Sequence, residues 1–388
     1  MARVFVTDAS QRKAVPIIRS LGRHGIQVVA GESTRWSMGF FSKYCTNWVV
    51  YPSPTETPDL FIEWLLNHLK RNSYDALFPI DERTLDPVTS HLEDLRKYTS
   101  IPVVDYATYM KARDKGQTIR IALQNDVPCP KTYFVSNLEE VQSLAQMIDF
   151  PVVIKPRQSQ GSRGIAYIQT RDQLYKEYTK IHACYPFPLI QEFIPPGGGS
   201  FGVEILLNKN SEPRAVFVHK RLREYPVSGG PSTLRESVYA PELVELGVRL
   251  LKAMGWYGVA MVEFKVDPRD NIPRLMEVNP KFWGSIQLSI VSGVDFPYLL
   301  YRMATEGDIE PVLEYQPGVR CRWLLPGDIL HFLSNPNRFR LQPSFFQFWG
   351  DNLHYDILSR DDPGPIWGMF VSYLAQAFNT KLWKDLRR

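Results

Sequence analysis

Cysteine is scarce in this chain: four residues in 388, Cys45, Cys129, Cys184 and Cys321, lie far apart with no C-x-x-C pair and no histidine at ligand spacing. That excludes a disulfide framework or a zinc site and fits reduced thiols in a cytosol. Long apolar runs are missing too, since nothing approaches the ~18 consecutive apolar residues of a membrane-spanning helix. The N-terminus runs straight into the strand-like Val4-Phe5-Val6, without the charged and apolar segments of a signal peptide, so a cytoplasmic location is expected. No charge of one sign dominates: 45 Lys and Arg stand against 41 Asp and Glu, interleaved along the chain, which argues against nucleic acid as the main partner. Low-complexity tracts and short repeats are absent. What is present is the balance of a globular protein, 44% hydrophobic and 22% charged, long enough for two or three lobes.

The first hundred residues alternate apolar β-like runs at 4–6, 26–30, 76–78 and 103–104 with helical patterns at 14–24 and 59–71. Strand, helix, strand at this spacing implies a parallel sheet with crossovers. The first turn, Thr7-Asp8-Ala9-Ser10-Gln11-Arg12, has no glycine, so this lobe lacks the dinucleotide fingerprint and is not expected to bind NAD or FAD. From about Asp114 the texture changes to a compact α+β unit: helices at 115–125 and 138–148, strands at 132–135, 151–155, 165–169 and 188–194. Beyond it lie β-rich runs at 201–207, 215–218, 259–266 and 274–278 around one helix near 241–254, with the turn Asp267-Pro268-Arg269-Asp270-Asn271 closing the last pair into a hairpin.

If that turn centres on Asp270, Glu263 and Glu277 oppose each other, and Asn279, two residues along, shares the face of Glu277. Facing carboxylates repel unless one is protonated or a cation bridges them, and an oxygen-only Glu, Glu, Asn set suits Mg²⁺ shared with nucleotide phosphates. The alternative at this level is a register shifted by one, which would turn one glutamate to solvent. A second feature is Val153-Ile154-Lys155-Pro156 followed by Gln160-Gly161-Ser162-Arg163-Gly164. A lysine ending a buried strand beside a Gly/Ser loop can meet phosphate, although Lys155 taken alone reads more readily as a strand-end lysine in water.

These pieces, with Asp114-Lys115, Ile190-Gln191-Glu192-Phe193-Ile194 and Met276-Glu277-Val278-Asn279-Pro280, occur in an order that resembles the ATP-grasp superfamily, in particular its carboxylate–amine ligase and carbamoyl-phosphate-synthase-like branches. The resemblance covers roughly 105–297. It implies an α/β and α+β fold with a parallel N-terminal lobe (1–110), a small mobile lid (111–194), a β-rich catalytic lobe (195–310) and an aromatic-rich extension (311–388). ATP is implied as the nucleotide, with Mg²⁺, for which Mn²⁺ could substitute. By the family pattern Lys115 and Lys155 meet the phosphates, Gly161, Ser162, Arg163 and Gly164 close over them, and Gln191, Glu192, Phe193 and Ile194 line the adenine slot, with backbone groups of Glu192 and Ile194 reading the base. Glu263, Glu277 and Asn279 would hold the metal. Gln191 stands where many relatives carry an acid, and Lys281 where they usually carry Arg, whose forked contact an ammonium cannot make.

In this context the stretch His219 to Glu236 reads as an acceptor site: Arg221 and Arg223, grouped with Lys281 as catalytic residues, precede a loop in which Ser228, Gly229, Gly230 and Ser232 contact substrate. The alternative is a solvated basic strand and a surface loop. Gly284 and Ser285 follow the metal strand and complete the pocket. The resemblance implies an ATP-dependent ligase acting on a small acid and an amine, or within the same fold phosphorylation of an enolate or bicarbonate oxygen, or a nucleotide-binding protein without turnover. The histidines at 24, 68, 91, 182, 331 and 354 read as surface or helix-face residues. In the tail, Trp367, Phe370, Leu374, Phe378, Leu382 and Leu386 recur every three or four residues, with Lys381, Lys384, Arg387 and Arg388 toward the end. That stripe is expected to dock on the protein's own core or in a homodimer, with peripheral membrane contact as the lesser alternative.

Overall fold

A computed structural model of the chain describes residues 2–159 and 163–377. Gly161 and Ser162, and the tail positions Phe378, Lys381, Leu382, Lys384, Leu386, Arg387 and Arg388, lie outside the described residues. The N-terminal lobe is a parallel sheet of β1 (Arg3–Val6), β2 (Gln27–Glu32), β3 (Cys45–Val50) and β4 (Ala76–Phe78), in the order β3-β2-β1-β4. Its strands are apolar on both faces because helices cover both. Val4 and Val6 join the core with Ile17, Ile18 and Leu21 of helix Ala14–Arg23, while Phe5 and Leu77 join Phe61, Ile62 and Leu65 of helix Pro58–Arg71.

Two elements of this lobe differ from the sequence pattern. The strand expected at 103–104 does not form: Ser100 makes a lone bridge to Ala76, and Pro102, having no N–H, cannot extend the ladder. In its place β3 forms the opposite edge, its Thr46, Asn47 and Trp48 exposed and therefore without apolar alternation to announce it. Helix Glu82–Ser90, which carries Pro87, was also illegible; the Asp81 side chain caps it through the Arg83 N–H.

The lid is an antiparallel sheet of β5 (Thr132–Tyr133), β6 (Val152–Lys155), β7 (Ala166–Ile168) and β8 (Leu189–Glu192), ordered β5-β8-β6-β7. Val152 and Ile154 pack into a separate small core with Val141, Leu174, Tyr178 and Ile181 of helices Leu138–Leu144 and Arg171–Cys184. Strand alternation therefore sends Val153 and Lys155 to the opposite face.

The large sheet comprises β9 (Ser200–Leu207), β10 (Pro213–Glu224), β11 (Ser232–Ser237), β12 (Gly258–Val266), β13 (Pro273–Asn279), β14 (Arg320–Arg322) and β15 (Leu353–Tyr355), in the order β13-β12-β9-β10-β11-β14-β15. The fold is thus α/β plus mixed sheet, as expected for an ATP-grasp chain. The segment from 311 onward is not a separate appendage, since β14 pairs with β11 and extends the catalytic sheet by two strands. The uncharged helix Gly364–Ala377 closes the chain's described part. It docks through Met369 onto Val15, Met38 and Ile357, and Gly368 lets it approach the Phe41 ring, where a Cβ would lie 2.6 Å away. Docking thus uses the face opposite to the one expected: Trp367 and Leu374 are 67% and 60% exposed, and Phe370 also faces solvent. Asp362, just before this helix, is buried and takes bonds from Arg19 Nε at 2.9 Å, Ser42 Oγ at 2.6 Å and the Lys43 N–H at 2.9 Å.

Candidate active site

The β12–β13 hairpin has the register that the sequence symmetry predicts, with Glu263 opposite Glu277 and Asn279 opposite Met261. A register shift occurs between Glu263 and Phe264, so the symmetry about Asp270 fails on the turn side and holds where the carboxylates stand. The Asn279 amide donates to Glu263 Oε1 at 2.9 Å, linking two of the three residues. Cations surround the pair. Arg221 Nη2 lies 2.5 Å from Glu263 Oε2, and Lys115 Nζ lies 3.1 Å from Glu277 Oε2. Burial pushes both carboxyls up. For Glu277 this is overturned by Lys115 and Lys155, which hold it below its ordinary value; for Glu263 burial, aided by Glu277, outweighs Arg221 and leaves it raised. Two half-buried carboxylates and an amide side chain on facing strands offer hard-oxygen donors of the kind that fit Mg²⁺ when phosphate oxygens complete the shell.

Lys155 ends β6 half-buried, its ammonium 4.0 Å from Met276 Sδ, and among the described residues no carboxylate lies within hydrogen-bonding reach. Burial pulls it down to about 8, with Glu277 opposing. Lys115 opens helix Lys115–Gln124, where Asp114 caps the Gly116 and Gln117 N–H groups and takes a forked contact from Arg157 at 3.0 and 2.7 Å. In the lid loop Arg163 lines the cleft, and Gly164 has φ of +72° with Pro156 and Tyr185 against its Cα, a position only glycine takes without strain. Gln191 is buried, donating to Thr132 Oγ1 at 2.9 Å, and among the described residues no donor reaches its Oε1. The Glu192 N–H is committed to the Lys131 carbonyl at 2.8 Å, and the Ile194 carbonyl to Lys265 Nζ at 2.7 Å. The Glu192 carboxylate pairs with Arg269, while Phe193 meets the Tyr167 ring edge-on at 5.8 Å.

A cleft of about 1480 Å³ runs from Glu263 and Asn279 to the N-terminal lobe, lined also by Arg221, Ser232, Lys281, Gly284 and Ser285. Arg223 does not belong to it. It is buried, with Nη1 2.6 Å from Asp328 Oδ2 and Nη2 on the Pro343 carbonyl. A bulge in β10 between Arg221 and Arg223 reverses the expected phase, so residues two apart face opposite ways. Lys281 is held by the N-terminal lobe, 3.1 Å from Glu82 and 3.7 Å from Asp81. Ser228 is exposed at the tip of its loop, and Gly229 (φ +132°) sits near the Tyr167 hydroxyl of the lid. Gly230 lies against the Tyr225 carbonyl, which a Cβ would meet at 2.3 Å. The stretch expected as loop from Ser232 onward is the internal strand β11.

Sequence reasoning missed His219 and Glu204. The two are buried, with His219 Nδ1 3.0 Å from Glu204 Oε1, which also accepts from Ser285 Oγ at 2.9 Å. Gly202 leaves the space the imidazole occupies, since a Cβ there would lie 2.3 Å from its Cε1. Burial pulls His219 below its ordinary value, against the raising effect of Glu204, so it is neutral at pH 7. The signal was available: His219 lies two residues before Arg221 on an apolar strand, hence on its face.

Comparison with known proteins gives this geometry a family. Residues 112–211 match a RimK-like ATP-grasp domain, and residues 197–325 match the ATP-grasp family described as belonging to a biosynthetic pathway with the Ter operon. The chain is 24% identical over 268 residues to a D-aspartate ligase of Enterococcus faecium, which covers 64% of this chain and 63% of the relative. It is 29% identical over 184 residues to a D-alanine–D-alanine ligase of Carboxydothermus hydrogenoformans, covering 43% and 58%. The chain therefore spans about three-fifths of the length of these curated relatives. In fold it resembles biotin carboxylase from Campylobacter jejuni (TM-score 0.69, 16% identity, 82% and 74% of the two chains) and an L-amino acid ligase from Bacillus licheniformis (TM-score 0.62, 18% identity, 80% and 78%).

Proposed function

Because the chain belongs to the ATP-grasp superfamily, we propose that it is an ATP-dependent carboxylate–amine ligase. The acceptor carboxylate attacks the γ-phosphorus of ATP, the bond to the β-phosphate oxygen breaks, and ADP leaves. The amine then attacks the acyl phosphate, an amide bond forms, and phosphate departs with the electron pair of the broken C–O bond. The observation that carries this reading is the half-buried Glu263–Glu277 pair with Lys115, Lys155 and Arg221 around it, an alternation of charges that makes chemical sense with phosphates and a divalent cation between them. The names of the relatives, D-aspartate ligase and D-alanine–D-alanine ligase, support ligation of a carboxylate to an amine.

Lys115 and Lys155 bind the phosphates, and the 161–164 segment of the lid shields them from water. Glu263, Glu277 and Asn279 hold Mg²⁺, which when bound offsets charge on the phosphates. Arg221 and Lys281 face the transferring group, where fixed cations lower the barrier by electrostatic positioning. The Glu204 carboxylate, 3.0 Å from His219 Nδ1 without hydrogen-bond geometry, favours the tautomer with the proton on that nitrogen. The neutral ring then accepts, at Nε2, the proton the attacking amine must lose. A screen of ADP release against small acids and amino acids, singly and in pairs, tests the reading. Acid- and amine-dependent ADP and phosphate are expected; AMP and pyrophosphate as the products would overturn it.

A further inference from the structure

The far end of the cleft is built largely by the C-terminal segment and carries a cation that the ATP chemistry does not use. Arg12, in the glycine-free turn after β1, lies with its guanidinium carbon 4.0 Å above the Trp323 ring, and its Nη2 occupies the space a Gly284 side chain would fill, 2.4 Å from that Cβ position. Its only charged partner among the described residues is Asp356, 3.2 Å from Nη1 and without hydrogen-bond geometry. The other oxygen of Asp356 is taken by Arg235, which is fully buried with Nε and Nη1 unpartnered. One carboxylate thus serves two guanidiniums. Glu204 faces Ser285 and His219 through its Oε1. Nη1 of Arg12 is thus buried without a hydrogen bond, which is costly unless a ligand completes it. Besides Trp323, the cleft that holds Arg12 is lined by the apolar and aromatic side chains of Met38, Trp283, Ile357 and Tyr373, with Gln11, Ser285 and Ser372 among them.

The place of this site follows from the sheet. Glu263, Gly202, His219 and Ser237 lie in register across β12, β9, β10 and β11, and Arg235, which opposes Arg221, stands two residues further along β11, so the backbones of Glu263 and Arg235 are roughly 16 Å apart on one face. The Arg12 end is thus the far side of the same cleft from Glu263.

We propose that Arg12, on its Trp323 platform, binds the carboxylate of an amino acid with an apolar side chain, and that this amino acid is the amine substrate. The guanidinium makes a forked contact to the carboxylate, the side chain packs on Trp323, Ile357 and Tyr373, and the amino group points along the sheet toward His219. The assignment of the amino acid as amine donor rests on the ligase reading; the binding site does not.

Calorimetry on the full chain, with L- and D-phenylalanine, L- and D-leucine and, lacking a carboxylate, phenethylamine, tests it. At least one amino acid should bind and phenethylamine should not. Arg12→Gln and Arg12→Lys should each weaken that amino acid about 10- to 100-fold, the lysine variant because it keeps charge without the fork, while Mg-ATP affinity stays as in the wild type. Trp323→Leu should weaken phenylalanine as well. No binding by any of the four, equal binding of phenethylamine, or unchanged affinity in both Arg12 variants overturns the site. Arg12-dependent binding with no amino-acid-dependent ADP release would retain the site and remove the ligase reading; ADP release indifferent to Arg12 would do the reverse.

Discussion

Lys155 is a half-buried ammonium with no hydrogen-bonded acid among the described residues, and burial brings it down to about 8. At pH 8.5 the ligand-free protein therefore holds part of this amine neutral. Phosphates placed beside it raise its affinity for the proton, so nucleotide binding takes a proton up from the buffer. Binding enthalpies of ATP measured at pH 8.5 in two buffers of different ionisation heat should therefore differ with the sign of uptake. In Lys155→Ala the difference should vanish and affinity should fall by ~1.5–3 kcal/mol, the worth of a hydrogen bond to a charged group. Identical wild-type enthalpies in the two buffers would return Lys155 to a strand-end lysine without a phosphate role. Its location was legible because the apolar run Val152-Val153-Ile154 marks a buried strand, and the lysine that closes it stands where that strand meets the lid loop. The pairing of His219 with Glu204 was not, since the two residues come together only when β9 and β10 do.

Element-scale features divide the same way. Strand alternation and a turn of symmetric residues placed Glu263 opposite Glu277 directly from sequence. Arg223 was misplaced because a β10 bulge leaves no trace in the residue pattern, and the structure gives this arginine a different task. Asp328 accepts from Arg223 at 2.6 Å, Arg322 at 2.5 Å and Thr233 at 2.9 Å, pinning the C-terminal segment to β10 and β11. Asp328→Ala leaves two buried guanidiniums without their acid and should destabilise the protein by about 3–5 kcal/mol in denaturant unfolding. A loss below about 1 kcal/mol, within the range of an exposed ion pair, would show that the segment is held by other contacts. The helix Gly364–Ala377 was legible as a helix, but with apolar residues on both of its sides the docking face could not be chosen from periodicity alone.

At the scale of the whole molecule, the cleft is assembled from positions hundreds of residues apart. Lys13 Nζ bonds Asp81 at 2.8 Å and the Phe282 carbonyl at 2.9 Å, and Lys281 returns the contact to Asp81 and Glu82, so the N-terminal lobe and the catalytic sheet share one charged seam. Such a seam has no local signature, which is why the nucleotide end of the cleft could be anticipated and its N-terminal wall could not. The account depends most on the claim that the Glu263–Glu277 pair holds a divalent cation together with ATP. Glu277→Gln keeps shape and an acceptor for Lys115 while removing one charge, so ATP alone should bind the variant as well as the wild type or better. The decisive measurement is the affinity for ATP across a Mg²⁺ titration in both proteins. Wild-type affinity should rise by at least about tenfold, ~1.4 kcal/mol, as Mg²⁺ is added, and that of Glu277→Gln should barely respond. The same Mg²⁺ dependence in both would contradict the assignment of this hairpin as the metal-binding centre.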